Sequence, residues 1–204
     1  MKRYFIIGKI GSGKSSLRHM FEQEGCYCFD LDKLGHEVLC HDEVKLLLSQ
    51  KFGSDILVQQ SSGSGSNTQI DRKALAAKVF CSAEKTAELN EITHPYIIKL
   101  LDERSKNLDS KGLISVVECS AFKSEFLPYL KDADTVVSVR ASFETRMKRS
   151  IDKGFSVQDF LNRDARQMSQ SDLDMIADVV FDNEASADDL RSAFNTWWGA
   201  EIDR

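Results

Sequence analysis

Short apolar stretches alternate along the chain with segments in which hydrophobic residues recur at helical spacing. The apolar stretches have the length of strands and lie at residues 4–7, 26–29, 113–117 and 135–139. The third is apolar at almost every position, as expected for a central parallel strand that is covered on both faces. After the first stretch, Leu17, Met20 and Phe21 recur at helical spacing. The pattern therefore predicts strands and helices in alternation.

Helical spacing dominates the region between the second and third predicted strands. It runs through residues 44–48 and 75–79 and through the long stretch from Ala83 to Leu108. These segments predict a mostly helical insert at about residues 41–111, joined by a polar loop from Gln59 to Gln69.

A Ser-Gly run and a proline in this insert lead to two further structural predictions. The alternating Ser-Gly run at residues 62–66 has no lysine and no strand before it, so it predicts a flexible loop. Pro95 is expected to start or kink a helix. A structural role is favoured for its neighbour His94.

The segment Gly8–Ser15, between the first predicted strand and helix, matches the phosphate-binding pattern G-x-x-x-x-G-K-[ST] in full. Its glycines let the backbone turn tightly and bring N–H groups against phosphate oxygens, and the following helix adds the positive end of its dipole. Lys14 is predicted to bridge the terminal phosphates of ATP, and Ser15 to ligate Mg²⁺. The alternative is a glycine-rich turn that a lysine happens to follow. The residues predicted here to bind ATP are Gly8, Gly11, Ser12, Gly13, Lys14, Ser15 and Ser16.

Carboxylates follow two of the predicted strands. Asp30 and Asp32 come directly after the second strand, at the edge where open α/β sheets bind ligands. One of them is a candidate general base toward a hydroxyl that receives phosphate, and the alternative is that it caps the next helix. Glu118 ends the third strand, where it would hold Mg²⁺ through water or else begin a helix.

Composition and charge exclude several classes of protein. The chain has 204 residues, of which 42% are hydrophobic and 29% charged, and a formal net charge of −5. This predicts one globular domain with a small appendage, without membrane association, because no apolar run approaches the ~18 residues of a membrane span. The apolar N-terminal run is too short for a secretory signal, and the five cysteines are expected to be reduced, so a cytoplasmic protein is predicted. A net acidic chain also argues against nucleic-acid binding.

Positive charge is nevertheless concentrated in one part of the chain. The segment from Arg140 to Arg166 has seven basic and four acidic residues, 7 − 4 = +3. In a chain with a phosphate-binding loop, this segment predicts an anion-facing surface rather than an ordinary solvated one.

The ordered set of motifs resembles the dephospho-CoA kinase family over nearly the whole chain. Besides the phosphate-binding loop, the matches are Asp30-Leu31-Asp32 to D-x-D, 70–80 to L-D-R-x-x-L…V-F, 92–97 to I-x-H-P-x-I, 163–167 to R-x-x-x-Q, and 177–183 to A-D-x-V-I-D-N.

The resemblance implies an α/β P-loop kinase with a five-stranded parallel sheet, in three layers. It implies a core at 1–40 and 112–204, an acceptor-side helical insert at about 41–111, and a lid at about 146–168. It also implies a transferase that uses ATP and Mg²⁺ to phosphorylate the ribose 3′-hydroxyl of dephospho-CoA in coenzyme A biosynthesis. The catalytic residues would then be Asp32 as the base, Lys14, which holds the phosphates, and Arg163, which neutralises the transferring group. Asn183 would contact adenine or form a turn.

Several positions depart from the family pattern. Lys9 stands where the family has a second glycine, and His36 where it has an arginine. Residues 118–124 replace the D-V-P-L-L-F-E segment that walls the acceptor site, and Arg146 and Arg149 are three apart where the family spacing is four. These departures keep two other hypotheses open, a kinase for another small nucleotide or hydroxyl acceptor and a degenerate nucleotide-binding regulatory protein. The oligomeric state stays open.

Overall fold

The computed structural model describes residues 2–62, 65–120, 122 and 124–203. The strands are β1 (Arg3–Ile7), β2 (Tyr27–Asp30), β3 (Leu57–Ser62), β4 (Gly65–Ile70), β5 (Ser115–Glu118), β6 (Thr135–Arg140) and β7 (Val179–Asp182). The α-helices are α1 (Lys14–Gln23), α2 (Leu31–Val38), α3 (Asp42–Phe52), α4 (Arg72–Val79), α5 (Ala83–Asp109), α6 (Phe143–Asp152), α7 (Val157–Ala165), α8 (Gln170–Ile176) and α9 (Ala187–Ile202). Short 3₁₀ helices lie at Ser54–Ile56 and Ser124–Asp132.

The chain divides into two compact units. The sheet unit comprises Met1–Leu31 and Ser105–Arg204, and the insert unit comprises Asp32–Arg104. The insert predicted at about 41–111 shares residues 41–104 with the insert unit, and the predicted lid at about 146–168 belongs to the sheet unit.

Within the described residues, the sheet unit contains a five-stranded sheet with the strand order β2-β5-β1-β6-β7. Every neighbouring pair is parallel, and the central strand β1 places Phe5 beside Val117 of β5 and Val136 of β6. The predicted three-layer α/β fold with a five-stranded parallel sheet is confirmed. Since the strands are parallel, their carboxyl ends meet at one edge, where such sheets bind ligands.

Helices α1 and α9 cover one face of the sheet. Tyr4 and Ile6 of β1 pack in a buried cluster with Phe21 of α1 and with Phe194 and Trp198 of α9, and the rings of Phe21 and Phe194 are 4.9 Å apart. Burying each such side chain contributes about 1.5–3 kcal/mol. This packing fixes α1 against the sheet and so holds the glycine loop that precedes it.

The insert unit corrects the prediction of a polar loop from Gln59 to Gln69. Strands β3 and β4 form an antiparallel hairpin there, in a register that runs from Leu57 opposite Ile70 to Ser62 opposite Gly65. The predicted flexible loop at 62–66 is likewise wrong for residues 62, 65 and 66, which belong to the two strands, while Gly63 and Ser64 lie outside the described residues. Backbone pairing between polar strands leaves no hydrophobic signal in the sequence.

Helix α5 contains Pro95 in its interior, so the proline does not start a helix there. The kink that the sequence also allows stays a prediction. The proline ring has no N–H to donate to the carbonyl oxygen of Glu91. Among the described residues, no helix is long and apolar enough to cross a membrane.

Candidate active site

The glycine loop connects β1 to α1 at the carboxyl edge of the sheet. Gly11 and Gly13 have φ values of 76° and 111°, which favour glycine. A Cβ atom at Gly11 would lie 2.4 Å from the carbonyl oxygen of Arg146, and one at Gly13 would lie 2.1 Å from Asn183 Nδ2. Both glycines are therefore required by conformation and by space.

Lys14, the first residue of α1, folds back over this loop. Its Nζ donates hydrogen bonds to the carbonyl oxygens of Gly8, at 2.8 Å, and of Lys9, at 3.0 Å. Only 6% of the residue is exposed. The loop thus holds an ammonium group beside the helix N-terminus, whose dipole adds positive charge. Such a cradle suits a phosphate group.

A buried carboxylate lies beside the first turn of α1. Ser15 Oγ donates a hydrogen bond to Glu118 Oε1 at 2.9 Å. Glu118 is the last residue of β5, is 3% exposed and stands in register with Asp30 at the end of β2. The structure therefore places Glu118 at a strand end and not at the start of a helix.

Arg18 also belongs to this cluster, although it was not predicted from the sequence. Its Nε lies 3.4 Å from Glu118 Oε2, and its Nη1 lies 3.8 Å from Asp30 Oδ2. The only signal is its spacing of four from Lys14, which puts both residues on one face of α1. The guanidinium offsets part of the negative charge at the two strand ends.

Two side chains of the predicted lid hold the backbone of Ile10, in the glycine loop. Gln167 Oε1 accepts from the Ile10 N–H at 2.7 Å, and its Nε2 donates to the carbonyl oxygen of Ser120 at 3.0 Å. Arg146 Nη1 donates to the Ile10 carbonyl oxygen at 3.3 Å. Gln167 was predicted as part of the family motif, and the structure shows what it contacts.

Of the altered segment 118–124, Ala121 and Lys123 lie outside the described residues.

Lys9 extends from the glycine loop to helix α7. Its Nζ lies 3.0 Å from Asp164 Oδ1, and Arg146 Nη1 donates to the same oxygen at 2.5 Å. Burial acts to raise the pKa of Asp164, but the hydrogen bonds from Arg146 and Lys9 outweigh it and hold that pKa below its ordinary value. One carboxylate therefore joins the loop, α6 and α7.

Asn183 lies against the glycine loop. Its Nδ2 donates to the Ser12 carbonyl oxygen at 2.7 Å, and its own carbonyl oxygen accepts from Arg149 Nη1 at 2.9 Å. The residue is 6% exposed. Its amide thus supports the loop backbone, and the adenine contact stays a prediction.

Arg163 occupies α7, the helix that also carries Asp164. Its side chain is exposed, and its guanidinium lies over the Phe155 ring, 4.9 Å from the centroid. Not all of the basic segment faces solvent, since Arg146 is only 5% exposed. The exposed Arg140 pairs with Asp182 at 2.9 Å, so its charge is partly offset. The anion-facing surface stays a prediction.

Asp32 belongs to the insert unit. It is exposed and lies in the first turn of α2, where the helix dipole favours an acid. In the same unit, Arg72 Nη2 donates to His36 Nε2 at 2.9 Å. His94 lies within α5 of this unit.

An open cleft of about 480 Å³ lies beside α1 and the start of α9. It adjoins the phosphate-binding loop through Ser15 and Ser16. Its lining residues are Ser15, Ser16, His19, Met20, Ala187, Asp188 and Arg191. In the part of the chain that the structure describes, no group of three or more His, Cys, Asp or Glu residues is arranged to hold a metal ion.

Comparisons with known proteins match this geometry to one family. The family model described as dephospho-CoA kinase matches residues 5–189. Dephospho-CoA kinase from Aquifex aeolicus is 35% identical over 196 residues, covering 93% of this chain and 92% of that protein.

Two solved structures are similar to the chain over nearly its whole length. Dephospho-CoA kinase from Campylobacter jejuni is 26% identical, with a TM-score of 0.67, covering 94% of this chain and 93% of that one. A Thermus thermophilus structure is 25% identical with a TM-score of 0.74, covering 98% and 97% of the two chains. The similarity thus extends over both units.

Proposed function

The chain belongs to the dephospho-CoA kinase family, whose members use ATP to phosphorylate dephospho-CoA to coenzyme A, and from that premise we propose the role of each residue. The acceptor atom is the ribose 3′-hydroxyl. The observation that carries the proposal is the intact phosphate-binding loop, with Ser15 Oγ 2.9 Å from the buried Glu118 carboxylate.

The loop binds the phosphates of ATP. Backbone N–H groups from Gly8 to Ser16 and the Lys14 ammonium surround the β- and γ-phosphates. Lys14 already lies against two loop carbonyls, so it is held near the site before ATP arrives. Its fixed positive charge lowers the barrier because it stabilises the negative charge that develops on the phosphate oxygens in the transition state.

The residues beside the loop fit a magnesium ion. A hydroxyl and a buried carboxylate are hard oxygen donors, and Mg²⁺ keeps several waters while taking only one or two protein ligands. Ser15 would bind it directly, and Glu118 would hold one of its waters. When bound, the ion would neutralise charge on the phosphates.

The nucleoside of ATP occupies the cleft beside α1. Ser16 connects the phosphate cradle to this cleft, and His19 and Arg191 line it. The Arg191 guanidinium is suited to stack on a purine ring.

Arg163 neutralises the transferring phosphoryl group. In this structure its guanidinium lies on Phe155, so it leaves that ring when it engages the phosphates. A long, exposed side chain changes rotamer on a fast timescale. An arginine supplied in this way contributes about 10³–10⁵ in rate.

Asp32 accepts the proton of the ribose hydroxyl. Support comes from its place in the D-x-D motif and from its exposure at the start of α2. Removing a general base typically costs about 10²–10⁴ in rate. We also propose that the enzyme works in the cytoplasm, since all five cysteines are free thiols.

A coupled assay of ADP release tests the assignment. With MgATP and dephospho-CoA we expect ADP release, with coenzyme A identified by mass spectrometry, and Lys14→Ala should remove most of the turnover. ATP binding without transfer to any acceptor would favour a degenerate nucleotide-binding protein. Transfer to another nucleotide or hydroxyl, but not to dephospho-CoA, would favour the second hypothesis from the sequence.

A further inference from the structure

None of the residue roles proposed above uses the ion pair between Lys9 and Asp164. Lys9 stands at a loop position where the family pattern has glycine, yet its side chain spans to α7 and ends 3.0 Å from Asp164 Oδ1. The two side chains are only 12% and 16% exposed. A pair this shielded is less screened by salt and water than a surface ion pair.

The Asp164 carboxylate is held from a second side. Arg146 donates to the same oxygen, is 5% exposed, and also donates to the carbonyl oxygens of Ala141 and Ile10. Arg146 is thus fixed by one backbone group of the glycine loop and by another in the connection between β6 and α6. Because Asp164 belongs to α7, its ion pairs with Arg146 and Lys9 determine the position of α7 relative to the loop.

Arg163 directly precedes Asp164 in α7. Fixing the Asp164 side chain therefore fixes the rotation of α7 and the distance from the Arg163 backbone to the glycine loop. The Arg163 side chain is exposed, and its guanidinium lies over Phe155. A displacement of about 1 Å in such a supporting group can cost about 10²-fold in rate.

We propose that Lys9 and Asp164 are positioning residues, whose ion pair sets α7 against the phosphate-binding loop so that Arg163 reaches the transferring phosphoryl group. The proposal rests on the role given to Arg163 under the proposed function. It assigns Lys9 to the placement of the arginine and not to the binding of phosphate.

Steady-state kinetics of single and double variants test this. We expect Lys9→Ala and Asp164→Asn each to lower kcat by roughly 10- to 100-fold, while KM for ATP changes less than about twofold. Lys9→Arg, which keeps the charge, should recover most of the kcat. Lys131→Ala, an exposed lysine of the sheet unit, is the charge-matched control and should keep the kcat of the unmodified enzyme.

The double variant Lys9→Ala/Arg163→Ala gives the decisive measurement. If Lys9 acts through Arg163, the loss from Lys9→Ala disappears in the Arg163→Ala background. An equal loss in both backgrounds, or a loss that appears mainly in KM for ATP, would overturn the positioning role while leaving Arg163 as proposed. An Arg163→Ala enzyme with unchanged kcat would overturn the role of Arg163 itself, and the positioning role with it. Thermal unfolding of each variant separates these outcomes from loss of folding.

Discussion

Replacing Asn183 with alanine removes one hydrogen bond that supports the phosphate-binding loop. The bond joins Asn183 Nδ2 to the Ser12 carbonyl oxygen at 2.7 Å. The backbone bonds of Asn183, to Arg140 and from Arg149, do not depend on its side chain. The variant therefore leaves one buried carbonyl oxygen without this donor, which costs about 1–3 kcal/mol. At about 2–4 °C per kcal/mol for a chain of this size, the melting temperature should fall by roughly 2–12 °C.

The assay combines circular-dichroism melting with kinetics on ATP and GTP. Because the amide acts on the loop backbone and the loop holds phosphates, KM should rise by the same factor for both nucleotides. Asn195→Ala, an exposed asparagine in α9, is the control and should change neither quantity. An unchanged melting temperature together with a loss of preference for ATP over GTP would refute the reasoning and favour an adenine contact.

Three other variants or modifications test separate parts of the molecule. Glu118→Gln keeps the size and shape of the side chain beside Ser15 but removes its charge. Half-maximal activity should therefore need about 10- to 100-fold more Mg²⁺. A Mg²⁺ titration that matches that of the unmodified enzyme would contradict the metal role. Asp32→Asn should lower kcat by a factor of about 10²–10⁴, with little change in ATP affinity measured by calorimetry. Normal turnover would contradict the role of Asp32 as the base and leave it a structural role at the start of α2. Burial raises the pKa of the Cys26 and Cys28 thiols to about 11 and about 12, so at pH 7.5 iodoacetamide should modify them at least about 100-fold more slowly than the exposed Cys40 and Cys81, as peptide mass spectrometry would show.

Local sequence patterns predicted the parts of the fold that depend on neighbouring residues. The phosphate-binding loop needs glycine at Gly11 and Gly13 because of backbone conformation and close packing, so its sequence is specific. The central strands β1, β5 and β6 are buried at nearly every position, and their apolar runs are therefore visible. The hairpin of β3 and β4 was missed because its stability comes from backbone pairing between polar residues.

Which charged side chains lie side by side on neighbouring strands could not be predicted from the sequence, because it depends on the order of the strands in the sheet. Arg140 was counted in a basic segment that ends at Arg166, but its partner Asp182 lies opposite it on β7, outside that segment. In the same way, Glu118 comes beside Asp30 only because β5 pairs with β2. A charge count along the sequence therefore overestimates the positive charge of the surface that this segment presents.

The ion pair of Lys9 and Asp164 makes an asymmetric prediction for stability. Lys9→Ala leaves Asp164 paired with Arg146, so no buried charge loses its partner and the free energy of unfolding should fall by at most about 2 kcal/mol. Asp164→Ala removes the carboxylate from both Lys9 and the buried Arg146, and the loss should be larger, roughly 3–5 kcal/mol, because a buried guanidinium then lacks its counter-ion. Urea denaturation at pH 7.5 measures both values. A loss from Lys9→Ala that equals or exceeds the loss from Asp164→Ala would mean that Arg146 does not hold Asp164 in solution, and α7 would then depend on the lysine alone.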